Sequence, residues 1–262
     1  MVKTAESLNR LGTETAFEVL ARAALLESQG KDIINLGIGQ PDFKTPEHIV
    51  EAAVKALRDG HHGYTPAQGI LPLREAVAAD LNKRHGVTVD PGQVVIMPGG
   101  KPTMFFAIMM FGTPGTEIMY PDPGFPIYRS MIEYTGAKPV PIALLEENGF
   151  AFNADEVLAQ ITPATRLIII NTPGNPTGGA VPREEIEKLV AGLAKHPDVA
   201  LMSDEIYSQM LYDGREHVSL LRYPEIADQL IVLDGWSKTY AMTGWRLGFS
   251  VWPKALVEPV VR

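Results

Sequence analysis

The sequence predicts an α/β protein of three layers, a mostly parallel sheet flanked by helices. Short, almost wholly apolar runs recur along the chain: VVIM at 94–97, LIIIN at 167–171, VALMSD at 199–204 and LIVLD at 230–234. Runs of this length without polar alternation suit strands buried on both faces, as a parallel sheet covered by helices requires. Amphipathic segments fall between them, and glycine-rich polar segments follow them.

The first expected helix spans Thr15 to Glu27, where Phe17, Leu20, Ala21, Ala24 and Leu25 are spaced for one face and Gly30 ends the pattern. It reads as an N-terminal arm. Thr45-Pro46-Glu47 marks a second start, because proline needs no donor at the first helical position and an acid suits the dipole. That helix is expected to reach about Asp59. Leu73, Val77 and Leu81 recur every four residues between Pro72 and Arg84, and Ile186, Leu189, Val190 and Leu193 repeat the design between Pro182 and Lys195. Both segments present an apolar stripe to a sheet.

The 21 prolines and 24 glycines sit mostly at expected turns, with no repeat, low-complexity tract or Gly/Ser linker. A chain of 262 residues with 45% apolar and 21% charged residues buries a sizeable core without staples. The net charge of −8 provides no global positive field for nucleic acid or anionic lipid. Without cysteine there is no disulfide, thiol nucleophile or thiolate metal site. The start of the chain has no apolar signal core, and the run Met104 to Phe111 is too short to span a bilayer. A soluble cytoplasmic protein is the expectation.

Ligands of open parallel sheets bind outside the carboxyl ends of the strands. Here those ends continue into Pro98-Gly99-Gly100-Lys101, TPGNPTGG, EIYS and GWSKTYAMTGWR. The GGK segment is no nucleotide P-loop, since Val95 and Pro102 stand where glycine and Ser or Thr belong. Gly37-Ile38-Gly39 lacks a third glycine at Asp42 and any βαβ context, so it is no dinucleotide fingerprint. The six histidines form no H-E-x-x-H, and no metal site is expected.

Five blocks remain: LGIGQPDF (36–43), YTPAQGILPLREA (64–76), NTPGNPTGG (171–179), SDEIY (203–207) and SKTYAMTGWRLG (237–248). In this order they resemble the class I/II aminotransferases, pyridoxal-phosphate enzymes of fold type I and similar to aspartate aminotransferase. The resemblance implies a large pyridoxal-phosphate-binding domain over residues 41–262, preceded by an arm and the start of a small domain over 1–40.

By that resemblance Lys238 forms a Schiff base with the cofactor aldehyde and then moves the substrate Cα proton. Asp204 pairs with the pyridine nitrogen, and Tyr207 and Asn175 hydrogen-bond the ring 3-oxygen. Asn175 has a structural reading too, since Asn-Pro between glycines forms a turn, and a rigid turn also aims the amide. The phosphate falls to Arg246, Ser237 and the backbone amides of Gly100 and Lys101 at a helix start. Phe125 stacks on the ring, although an aromatic also packs cores. Tyr64 reaches the phosphate across the interface of a homodimer, and Gly39, Phe125 and Asn175 approach the substrate.

The implied reaction is transamination from an L-amino acid to a 2-oxo acid. Two departures stand out: Gly235 replaces a serine of many relatives, and Lys101 follows the glycine pair, where some aspartate-type relatives meet an acidic substrate with lysine. Relatives usually carry a C-terminal small domain with an arginine for the substrate α-carboxylate, and Arg262 stands in the wrong context for it. A truncated cofactor-binding chain without catalysis is therefore the alternative from another class. Carbon–sulfur lyases share the same blocks and form a third.

Overall fold

The computed structural model describes residues 2–12 and 15–262, with side-chain surroundings given for all of these except residues 15–17. Helix α1 (Thr15–Ser28) forms where the periodicity places it. The Phe17 side chain expected on its apolar face lies outside the described residues, and the rest of that face is mostly exposed, Leu25 at 58%. Only Ala23 is buried among its described side chains.

The elements then follow in the order α2 (Glu47–Arg58), α3 (Leu71–His85), β1 (Val94–Met97), α4 (Lys101–Phe111), β2 (Glu117–Asp122), α5 (Ile127–Thr135) and β3 (Lys138–Ala143). The chain continues through α6 (Ala154–Ala159), β4 (Thr165–Asn171), α7 (Arg183–Leu193), β5 (Ala200–Asp204), β6 (Leu230–Gly235), β7 (Gly248–Val251) and α8 (Lys254–Val261). Helix α3 ends at Gly86, whose φ of 68° suits the left-handed cap, and its amide donates to the Asn82 carbonyl.

Seven strands form one sheet in the order β1-β7-β6-β5-β4-β2-β3. Strands β3, β2, β4, β5 and β6 pair in parallel, whereas β7 runs antiparallel to both β6 and β1. The mostly parallel sheet matches the sequence reading; β2, β3, β7 and the antiparallel pairings are what that reading lacks. Strand β3 (KPVPIA) carries two prolines, which cannot donate to a ladder, and it occupies a sheet edge where that loss is tolerated.

Alternation divides the buried side chains between the two faces. Ile168, Leu201 and Val232 pack on one with α7, and Ile169, Met202 and Ile231 pack on the other with α4 and α5. Each such aliphatic side chain contributes roughly 1.5–3 kcal/mol when fully buried. This double burial explains why β4, β5 and β6 read as continuous apolar runs. Because β1, β4, β5 and β6 point the same way, their carboxyl ends bring the four polar segments to one edge of the sheet. Among the described residues, no helix is long and apolar enough to cross a membrane.

Candidate active site

Strand β5 ends in Asp204, which is 2% exposed. Its Oδ2 accepts from the Tyr128 hydroxyl at 2.7 Å and its Oδ1 from the Ile206 amide at 3.2 Å. Burial pushes the carboxyl up to about 6, while the Tyr128 and Ile206 hydrogen bonds pull the other way. Tyr128 is itself fully buried, and burial together with the Asp204 charge lifts its phenol well above the ordinary value.

Strand β6 delivers Ser237 and Lys238 beside it. Gly235 permits this path, because a Cβ there would lie 2.9 Å from the Gly248 Cα across the β6–β7 pair. The Lys238 Nζ donates to the Gly39 carbonyl and lies 5.7 Å from the centroid of the Tyr207 ring. Burial and then the Arg246 charge lower the ammonium below the usual lysine value, with Asp204 opposing. A less basic amine is a better nucleophile near neutrality.

Tyr207 is pushed up to about 12 by burial and by Asp204, against a hydrogen bond from Asn175. Asn175 is held in turn, its amide donating to Asn171 Oδ1 at 2.8 Å, and Asn171 Nδ2 donates to the Asp204 carbonyl at 3.0 Å. The turn and the aimed side chain thus coexist.

At the other end, Gly100 caps α4 and Lys101 opens it, leaving backbone amides at a helix start. Arg246 adopts a φ of 54°, and its Nη1 donates to the Thr243 carbonyl at 2.7 Å. Gly99 makes room for that guanidinium: a Cβ there would meet Arg246 Nη2 at 2.1 Å. Lys101 Nζ lies 5.5 Å from the centroid of the Phe125 ring.

A cavity of about 550 Å³ joins these groups, lined by Gly39, Gly100, Lys101, Phe125, Asn175, Asp204, Tyr207, Ser237, Lys238 and Arg246 among others. Tyr64, expected at the phosphate, lines none of this chain's cavity and stands fully exposed. Tyr128 went unread in the sequence, though it follows Phe125 by three residues on the same turn, a spacing that faces both toward one site.

A family model described as aminotransferase class I and II matches residues 31–262. The chain belongs to the class I and II aminotransferases.

This aminotransferase chain is 42% identical over 231 residues to aromatic-amino-acid aminotransferase 2 of Thermococcus litoralis, covering 88% of this chain and 59% of that protein. It is 34% identical to an aspartate aminotransferase of Geobacillus stearothermophilus, covering 98% and 65%. It is also 39% identical to an arginine–pyruvate transaminase of Pseudomonas aeruginosa, covering 92% and 61%. The chain therefore spans 59–65% of the length of these relatives. Among solved structures, aspartate aminotransferase of Thermus thermophilus with maleate superimposes with a TM-score of 0.94 at 35% identity, covering 100% of this chain and 67% of that one. The likeness agrees with the mostly parallel sheet read from the apolar runs and with the family that the five sequence blocks resemble.

Proposed function

We propose that the protein is a pyridoxal-phosphate-dependent aminotransferase that moves an amino group from an L-amino acid to a 2-oxo acid. The observation that carries this reading is the joint opening of the Lys238 amine, the buried Asp204 carboxylate and the Arg246 guanidinium into one cavity. The relatives bear transaminase names, which favours transamination over a lyase reaction or a merely cofactor-binding chain.

The donor set suits the cofactor. A guanidinium beside a helix start is built for a phosphate, and Gly99 leaves the space that this arrangement needs. A buried carboxylate suits a ring nitrogen that bears a proton, and an amine of lowered basicity suits an aldehyde. When bound, pyridoxal phosphate supplies the electron sink that accepts carbanion density from the substrate Cα.

The residues then divide the work. Arg246, Ser237 and the backbone amides of Gly100 and Lys101 would hold the phosphate. Asp204, oriented by Tyr128, would pair with the protonated ring nitrogen. Tyr207 and Asn175 would donate to the ring oxygen, and Phe125 would lie against the ring. Lys238 would hold the cofactor aldehyde, and its amine would serve as the base for the substrate Cα proton; a positioned base of this kind contributes about 10² to 10⁴ in rate. Gly39 offers its carbonyl at the substrate side of Lys238. Residues 41–262 form the cofactor domain, and residues 1–40 form the arm and the start of a second domain.

A homodimer belongs to the same proposal. Tyr64 is fully exposed, and Phe105, Phe106 and Met109 present an apolar patch on α4, as an interface requires. Residence in the cytoplasm rests on family membership alone.

The test is the absorption spectrum of the chain with pyridoxal phosphate, beside Lys238→Ala, before and after aspartate, phenylalanine and arginine are added. A band that needs Lys238 and is bleached by a donor is expected. Identical spectra for the two proteins would overturn the assignment.

A further inference from the structure

Behind the cavity, on the opposite face of the sheet, lies a second set of buried charges. Asp204 and Glu205 are chain neighbours at the end of β5, so their side chains leave on opposite faces. Asp204 meets Tyr128, whereas Glu205 meets His217.

Glu205 is 1% exposed and fully engaged. Its Oε1 accepts from the Ser203 hydroxyl at 3.0 Å and the Leu220 amide at 3.1 Å, and its Oε2 lies 2.9 Å from His217 Nε2. The Glu205 amide donates to the Leu233 carbonyl at 2.8 Å and so carries the β5–β6 pairing one residue past Asp204. The His85 ring stands edge-on to His217 at 6.3 Å, and Arg84 Nη2 lies 3.5 Å from Asp234 Oδ2. None of these side chains lines the cavity.

A buried ionised carboxylate is costly unless fully paired, and an apolar pair would often serve stability as well. Its retention one residue from Asp204, in a low-dielectric interior where charges act strongly on each other, has a consequence for Asp204. We propose that Glu205 is a positioning residue that acts through the sheet, anchoring the end of β5 and governing the charge that Asp204 carries toward the cavity.

This inference rests on the role of Asp204 in the proposed function. Glu205 faces His217 and Ser219 from the segment after β5, His85 from α3 and Asp234 from β6, while Arg84 and Arg222 face His85. Asp204 faces Tyr128, Tyr207 and Lys238. Despite its burial, Glu205 is held below the usual carboxylate range by the charge and hydrogen bond of His217, so it stays anionic near neutrality. His85, pushed down to about 4 by burial, is neutral there and does not offset that charge. The Glu205 charge is among the groups that raise Asp204, after burial.

The test substitutes Glu205→Gln, which keeps the shape and an acceptor for the Leu220 amide but removes the charge. Carboxyl carbon-13 NMR of the cofactor-free chain reads the Asp204 titration, assigned with Asp204→Asn. The midpoint is expected to fall below about 6, and Glu205→Asp, which restores the charge, is expected to return most of the shift. A packing role alone would not give this direction or this rescue. Should the single variant fail to fold, Glu205→Gln/His217→Gln leaves neither partner charged and alone, and the same fall is expected with smaller size. An unmoved Asp204 midpoint in the folded variant overturns the inference. Adding pyridoxal phosphate to wild type separates the two readings: no Lys238-dependent band defeats the cofactor assignment, while the NMR titration still decides whether Glu205 acts on Asp204.

Discussion

The Tyr128 hydroxyl donates to Asp204 Oδ2 at 2.7 Å inside a fully buried pair, linking the first turn of α5 to the end of β5. The bond holds one carboxylate oxygen and leaves Oδ1 with the Ile206 amide. A buried carboxylate so oriented can present one edge to a ring nitrogen.

Removing that donor should therefore disturb charge before it disturbs packing. Tyr128→Phe is expected to cost about 1–3 kcal/mol, the usual penalty for an unsatisfied buried group. It is also expected to raise the Asp204 midpoint above about 6, since the Tyr128 bond favours the anion. Carboxyl NMR and denaturant melts check the two effects separately.

Arg246 acts on two groups at once. Arg246→Ala removes a charged donor, expected to cost about 1.5–3 kcal/mol, or roughly tenfold to hundredfold in cofactor affinity. Because Arg246 lowers the Lys238 ammonium, its loss is expected to move the pH dependence of amine capture upward. Titration with pyridoxal phosphate across pH measures both, and an unchanged pH profile would contradict the coupling.

Gly99 has a φ of 85° and no room for a side chain beneath Arg246. Gly99→Ala is expected to destabilise the chain by at least about 1 kcal/mol and to displace the guanidinium. Weaker phosphate binding together with a lower melting temperature would be observed.

Asp234 offers a pH test on the back of the sheet. Burial pushes it up to about 7, with the Gly235 amide and Arg84 opposing. The folded chain therefore takes up a proton that the unfolded chain, near 3.9 for aspartate, does not. Ionised Asp234 costs stability above pH 7, and the cost is relieved as pH falls through about 7. Asp234→Asn mimics the protonated form. It is expected to melt above wild type at pH 8.5 by a few degrees, roughly 2–4 °C per kcal/mol, and the gap is expected to shrink below pH 7.

Much of this was legible in the chain itself. Strands β1, β4, β5 and β6 appear as apolar runs because both their faces are buried, and helices α2, α3 and α7 appear through their stripes and starts. The motif residues Gly39, Asn175, Asp204, Lys238 and Arg246 line one cavity, all but Gly39 from strand ends or the segments that follow them. Strand β3 was illegible because its prolines read as loop until an edge position accommodates them. The stripe of α1 was legible but its exposure was not, since periodicity reports a stripe and not what covers it.

Local sequence thus determined strands β1, β4, β5 and β6, helices α1, α2, α3 and α7 and the polar segments that follow the strands, because burial on two faces and glycine-rich turns leave periodic, short-range marks. Tertiary structure alone decided that Tyr128 meets Asp204 across 76 positions of chain and that β7 inserts antiparallel between β1 and β6. It alone decided, too, that Glu205, His217, His85, Arg84 and Asp234 gather behind the site. Such meetings depend on strand order and register, which no local period records, and on the cost of burying charges that only close packing can bring together.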